Sequence, residues 1–134
     1  VNTKQIKGKD YIFCDWRRKY VRLTPEEWVR QQFLHHLVEE LHYPQALIAV
    51  EVALTGKRAD AVVYNPRLEP QVLVEFKAET VALTQQVLDQ IVVYNRQLHV
   101  PYLILHNGHE TIAAQVDEQI HFLTQLPEWT QLSL

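Results

Sequence analysis

Along the chain the apolar positions gather into blocks whose period changes from block to block. Trp28, Val29, Phe33, Leu34, Leu37, Val38 and Leu41 recur at helical spacing. Thr24 before them is a good N-cap, Pro25 suits the first helical position, and Glu27 completes a capping box. This first helix is expected to end near His42-Tyr43-Pro44. Residues 47–54 are a β-type run, Thr55-Gly56-Lys57 turns the chain, and 59–64 and 71–78 read as two more strands. Asn65-Pro66-Arg67-Leu68-Glu69-Pro70 is the turn between them. Thr84 caps a second helix over 85–98. Residues 100–106 form a strand, and the Asn107-Gly108 turn returns the chain into 111–116. Residues 119–123 add an edge strand. Nearer the start, residues 10–23 read as two short strands around a basic turn.

The order helix, three strands, helix, strand, hairpin predicts an α/β fold, a mixed sheet flanked by helices. The 134 residues suit one domain, and 47% apolar residues suit one core. Within it, 1–22 is a basic arm or hairpin, 24–106 the core, and 107–134 a hairpin extension and tail. A single cysteine, Cys14, forms no intrachain disulfide and fits a reducing, cytoplasmic setting. No apolar stretch reaches the roughly 20 residues of a membrane span, and no signal-peptide pattern opens the chain. There is no methionine, so the start is processed, trimmed or taken from a longer chain. No Gly-rich phosphate loop is present, so no ATP site is expected.

Charge is unevenly spread. Residues 1–22 hold seven Lys and Arg against two Asp, whereas the rest holds six basic and fourteen acidic residues. The basic segment is either a phosphate-contacting arm or a solvated one. The acidic remainder argues that a nucleic-acid enzyme built on this chain needs a dimer, a partner or a metal to engage its substrate.

Asp60, Glu75 and Lys77 stand out because acids and a lysine are costly among Val, Leu and Phe unless they pair or bind something. A hairpin turn centred between Arg67 and Leu68 sets Asp60 opposite Glu75, with Cβ atoms about 5 Å apart. Lys77, two residues on, shares their face, while Val74 and Phe76 point into the core. Two carboxylates with the Phe76 backbone carbonyl suit Mg²⁺, with Mn²⁺ as a substitute. Lys77 would orient or deprotonate a water, or neutralise the phosphorane. The plain alternative is a Lys77–Glu75 or Arg58–Asp60 ion pair at a sheet edge.

This context resembles the PD-(D/E)xK restriction-endonuclease-like superfamily, whose core order is αβββαβ. Within it the chain is most similar to the N-terminal endonuclease domain of type I restriction enzyme R subunits, over about residues 11–123. The residues that carry the likeness are Leu23-Thr24-Pro25-Glu26-Glu27-Trp28-Val29-Arg30-Gln31, Lys57-Arg58-Ala59-Asp60, Val74-Glu75-Phe76-Lys77-Ala78 and Val100-Pro101-Tyr102. The resemblance implies a Mg²⁺-dependent DNA endonuclease with Asp60, Glu75 and Lys77 catalytic. Gln90 and Tyr94, four apart on one helix face, look like a Gln-x-x-x-Tyr motif that implies DNA contact and support of the site. Read from spacing alone, they are a boundary polar residue and a core aromatic. Glu27 is a further ligand candidate, as first-helix glutamates are in the superfamily, with Glu26 the alternative. Capping already explains Glu27 locally. Arg30 is either a phosphate ligand or a surface helix arginine, and Glu51 faces the site edge or solvent.

The seven histidines show no zinc spacing with cysteine. His106-Asn107-Gly108-His109 has a superficial likeness to an HNH motif but is read as a turn. Trp16, Trp28 and Trp129 are read as packing residues. DNA is the partner implied, with helicase, methylase or specificity subunits, or a homodimer, beside it. The family's helicase motor is not in these residues. Two other readings are open: a non-catalytic DNA- or protein-interaction module on the same fold, and a dimeric structure-specific nuclease.

Overall fold

The computed structural model describes residues 2–132. Val1 of the expected N-terminal arm, and Ser133 and Leu134 of the expected tail, lie outside the described residues. Three strands open the chain: β1 (Thr3–Ile6), β2 (Lys9–Cys14) and β3 (Lys19–Arg22). They form an antiparallel meander, one strand more than the hairpin expected from sequence. The extra strand is polar and exposed throughout, so it carries no hydrophobic alternation to announce it.

The body follows as α1 (Pro25–Glu39), β4 (Ile48–Leu54), β5 (Lys57–Tyr64), β6 (Pro70–Phe76), α2 (Gln85–Leu98), β7 (Tyr102–His106), β8 (Thr111–Val116) and β9 (Ile120–Leu123). These six strands make one mixed sheet in sequence order, with β6 and β7 parallel and all other neighbours antiparallel. The crossover between the parallel pair is α2, as a parallel connection requires. The α/β class and the helix–three strands–helix–strand order agree with the sequence reading.

Side-chain alternation sends the strands' two faces into two cores. Val29, Phe33, Leu34 and Leu37 of α1 pack on Ala61, Val63, Val72, Val74, Phe76 and Ile104. Leu88 and Ile91 of α2 pack on Val62, Leu73 and Leu103 from the other side. Trp16 and Trp129 border the α1 core. Trp28 is 39% exposed, contrary to its expected packing role, because it stands off the Val29–Phe33–Leu37 stripe.

The helix ends explain the chain's turns. Thr24 Oγ1 accepts the Glu27 N–H at 3.1 Å and caps α1. The helix stops at Glu39, a few residues short of the expected end, and His42 takes a left-handed conformation before Pro44. Thr84 caps α2 in the same way. At its far end His99 is left-handed, and the buried Asn95 side chain bonds both the N–H and the carbonyl of Val100, steering the chain towards β7.

Candidate active site

The site is built where two neighbouring strands lose their alternation together. In β4, Val50 packs towards α1 and Val52 towards α2. In β5, Ala59 packs towards α2 and Ala61 towards α1. Residues two apart in a regular strand share a face, so each strand switches phase at the residue between. Those residues are Glu51 and Asp60, which stand opposite each other between the paired couples Val50↔Ala61 and Val52↔Ala59. Glu51 absorbs the change with a φ of +55°, a left-handed conformation unusual for a non-glycine residue.

Asp60 uses its place at the interruption to join β6. Its Oδ2 accepts the Phe76 N–H at 2.7 Å, in the position of a ladder acceptor. The pairing Ala61↔Val74, Val62↔Leu73, Val63↔Val72 has the register that sets Asp60 opposite Glu75. The expected opposition holds at the site, but the expected turn centre does not: Tyr64 pairs with Pro70, and a register shift between Val63 and Tyr64 brings in the expected partners further along. Burial, followed by the Asp60 carboxylate, pushes Glu75 up to about 8 against the pull of Lys57.

The two acids open onto different cavities, so Asp60 does not share the face of Glu75 and Lys77 as expected: the phase change at Asp60 parts them. Asp60 lines a cleft of about 330 Å³ with Arg17, Arg22, Glu26, Glu27 and Arg30. Glu75 lines a narrow crevice with Lys57, Lys77, Gln90, Ile91 and Tyr94. The crevice thus gathers Glu75, Lys77, Gln90 and Tyr94, all singled out from the sequence. Lys77 is anchored through its backbone N–H to the His106 carbonyl at 2.9 Å. Its side chain makes no ion pair among the described residues.

The cation that does bind Glu75 is Lys57. Its Nζ lies 2.8 Å from Glu75 Oε1 and 3.5 Å from the centre of the Tyr94 ring. Neither of the ion pairs weighed from sequence, Lys77–Glu75 or Arg58–Asp60, forms among the described residues, and Glu75 lies buried on an interior strand rather than at a sheet edge. Sequence reasoning gave the Lys57 side chain no role because it placed the residue in the Thr55-Gly56-Lys57 turn, whereas β5 begins at Lys57. The phase change at Asp60 puts Lys57 on the α2 face with Glu75 and Tyr94. The visible signal was a Lys just after a Gly turn and three residues before the Asp.

Glu27 is corrected more sharply. Its N–H completes the cap, but its carboxylate does not return to Thr24. It is 6% exposed and bonds Arg30 Nη2 at 2.6 Å, Gln31 Nε2 at 2.8 Å and Arg17. Burial alone would raise this carboxyl, but the hydrogen bonds from Arg30, Arg17 and Gln31 outweigh it and hold it low. With its oxygens so committed, Glu27 serves in this structure as a structural anion lining the Asp60 cleft. Arg30 is not a surface residue either: it is 7% exposed and reaches Glu51 at 3.1 Å and the Asp60 carbonyl at 3.3 Å. Being enclosed and paired with acids, it is not free to take a phosphate. It braces the interruption from the α1 side. Glu51 faces the site edge: it lines the Asp60 cleft and pairs with Arg30 and, at 3.6 Å, with Arg17.

Among the described residues no three His, Cys, Asp or Glu side chains converge as a ready metal cage. The available donor set is the Asp60–Glu75 pair and neighbouring backbone oxygen. That set fits a hard divalent cation of the Mg²⁺ type, which takes one or two carboxylates and fills the remaining positions from solvent and phosphate. No helix among the described residues is long and apolar enough to cross a membrane.

No curated protein matches the chain. The family model of the type I restriction enzyme R protein N terminus (HSDR_N) matches residues 25–127, which takes in α1, the whole six-stranded sheet, Asp60, Glu75, Lys77, Gln90 and Tyr94. On that match the chain belongs to the family of the type I restriction enzyme R protein N terminus.

Proposed function

We propose that this chain is a Mg²⁺-dependent DNA endonuclease domain of the PD-(D/E)xK kind, working in the cytoplasm with the other components of a type I restriction system. The observation that carries the reading is the meeting of Asp60 and Glu75 at the strand interruption, beside a crevice holding Lys77, Gln90 and Tyr94. The family match supports the restriction role, and DNA and the other type I subunits are the partners it implies.

The reaction is hydrolysis of a phosphodiester. A water oxygen bonds to phosphorus, the bond to the leaving sugar oxygen breaks, and that oxygen takes a proton. Asp60 and Glu75, with the Phe76 carbonyl, would hold the cation. When bound, Mg²⁺ or Mn²⁺ supplies polarisation of the phosphate and relief of charge on the leaving oxygen. Lys77, the unpaired lysine of the crevice, orients the water or offsets the charge building on the phosphate oxygens. Lys57 keeps the Glu75 carboxylate in place. Tyr94 backs Lys57, and Gln90 reaches the same crevice from one turn earlier on α2.

The test is a nicking and cleavage assay on plasmid and linear DNA with Mg²⁺ or Mn²⁺, run beside Asp60→Ala and Lys77→Ala. Cleavage that needs the metal and disappears in both variants is expected. Absence of metal-dependent cleavage with the other type I subunits present would overturn the reading, as would activity indifferent to Asp60→Ala.

A further inference from the structure

The three-stranded meander carries a surface the catalytic proposal does not use. Ile12 and Cys14 of β2 turn inward and are buried. The alternate residues, Lys9, Tyr11 and Phe13, turn outward. Cross-strand partners share a face. Lys4 and Arg22, which flank Tyr11 from β1 and β3, therefore join it, and Tyr20 joins Phe13. Among the described residues, the strands' outer face thus carries three aromatic rings, three cations (Lys4, Lys9 and Arg22) and Ile6, and no strand acid; at one end Phe13 borders a cavity with Asp15 and Glu39.

The cations are held beside aromatic planes and not by carboxylates. Lys4 Nζ stands 3.9 Å over the Tyr20 ring, and the Arg22 guanidinium lies 5.7 Å from the centre of the Tyr11 ring. None of the three is in an ion pair among the described residues. Phe13 and Tyr20, both half-buried, meet edge to face at 5.3 Å and form an apolar step on this face. Arg22 also lines the cleft that leads to Asp60. Arg22 therefore borders both the face and the acid-lined cleft of Asp60.

We propose that this outer face docks an unpaired DNA strand. A nucleotide carries a flat base and a phosphate, and the face repeats the complementary pair, a ring and a cation side by side. Base–aromatic stacking needs bases free of a duplex, which selects a single strand. Charge selects it too: beyond residue 22 the chain carries fourteen acids against six bases, so a wide polyanion would meet repulsion that a slim strand on the meander avoids. The proposal extends the nuclease reading by naming an unpaired segment as part of the substrate, and it stands on binding alone.

The experiment measures fluorescence anisotropy of labelled single-stranded and duplex DNA of about 15 nucleotides with the full chain in EDTA, where cleavage plays no part. Single-strand binding tighter than duplex binding is expected. Lys4→Glu with Arg22→Glu should weaken it roughly tenfold or more. The same pair should flatten its salt dependence by about 0.7 in logarithmic slope for each phosphate no longer neutralised. Tyr11→Leu with Tyr20→Leu should weaken it several-fold with the salt slope unchanged. A bromouracil-containing strand should crosslink to the meander, read by mass spectrometry. Thermal melts establish that the variants fold, and the exposed charge reversals carry the test if the tyrosine pair does not. Equal binding of single strands and duplex, or charge reversals without effect, overturns the proposal. Cleavage that fails while the strand binding persists removes the nuclease reading and leaves this one; the reverse outcome removes only this one.

Discussion

Lys57 Nζ and Glu75 Oε1 stand 2.8 Å apart, and the same ammonium rests 3.5 Å from the centre of the Tyr94 ring. A lysine that precedes the Asp is therefore the counter-ion of the second acid. Lys57→Met removes the positive charge that pulls the Glu75 proton off. The Glu75 carboxyl should then titrate higher than in the parent protein, and cleavage should fall by about tenfold to a hundredfold. Carbon-13 NMR titration of the glutamate carboxyls checks the first point. An unmoved Glu75 midpoint would refute the pairing.

Glu75 also makes stability depend on pH. Its carboxyl is pushed from the ordinary 4.5 up to about 8 in the folded protein, mainly by burial. The folded state therefore holds this proton more tightly than the unfolded state does. Its stabilising contribution is complete below about 4.5 and is lost as pH rises towards about 8. Urea midpoints measured in EDTA across that range should decline, and Glu75→Gln should flatten the decline. Adding Mg²⁺ or Mn²⁺ at the upper end should recover stability, because a cation bound only by the folded state shifts the equilibrium towards it.

Glu27 should matter for folding more than for chemistry. Replacing it by Ala leaves Arg17 and Arg30 in a mostly enclosed place without their shared carboxylate. Breaking a buried pair in this way costs about 3–5 kcal/mol. Chemical denaturation reads the loss directly. A change below about 1 kcal/mol, the level of a surface pair, would show that the network contributes little.

Tyr94 offers a separation of ring from hydroxyl. Tyr94→Phe keeps an aromatic face under Lys57, whereas Tyr94→Ala removes it. The first should retain most of the parent's cleavage rate, and the second should lose stability by about 1–2 kcal/mol from the cation–π contact alone, together with activity. If the two variants behave alike, the hydroxyl and not the ring is the working part.

Most of the body was legible because its signals were local. Thr84 and the stripe behind it marked α2 from Gln85 to Leu98, and Asn107-Gly108 marked the return into Thr111–Val116. The Asp60–Glu75 opposition was reached from an assumed turn centre, and it holds because the register shift between Val63 and Tyr64 offsets the difference at the turn. What stayed hidden was long-range or exposed. The polar strand Thr3–Ile6 gains its partners from β2 and not from its own pattern. Arg17 reaches Glu27 from a separate sheet, which no spacing within α1 could reveal. Arg30 is buried because three acids surround it in space, two of them on the sheet. Lys57 was missed because it was read as part of the Gly56 turn, while the strand begins there.

The paired interruption at Glu51 and Asp60 can be read as a matched insertion. Strike out both residues on paper, and Val50 runs straight into Val52 while Ala59 runs straight into Ala61. Each of those neighbours already points to opposite faces, so the shortened strands would alternate without a break and keep their cross-strand partners. Removing only one of the two would throw its strand out of step with the other. The sheet as a scaffold therefore has no need of this pair. Two extra residues, spliced in at the same level, turn a plain ladder into one with an acid lying between its rungs.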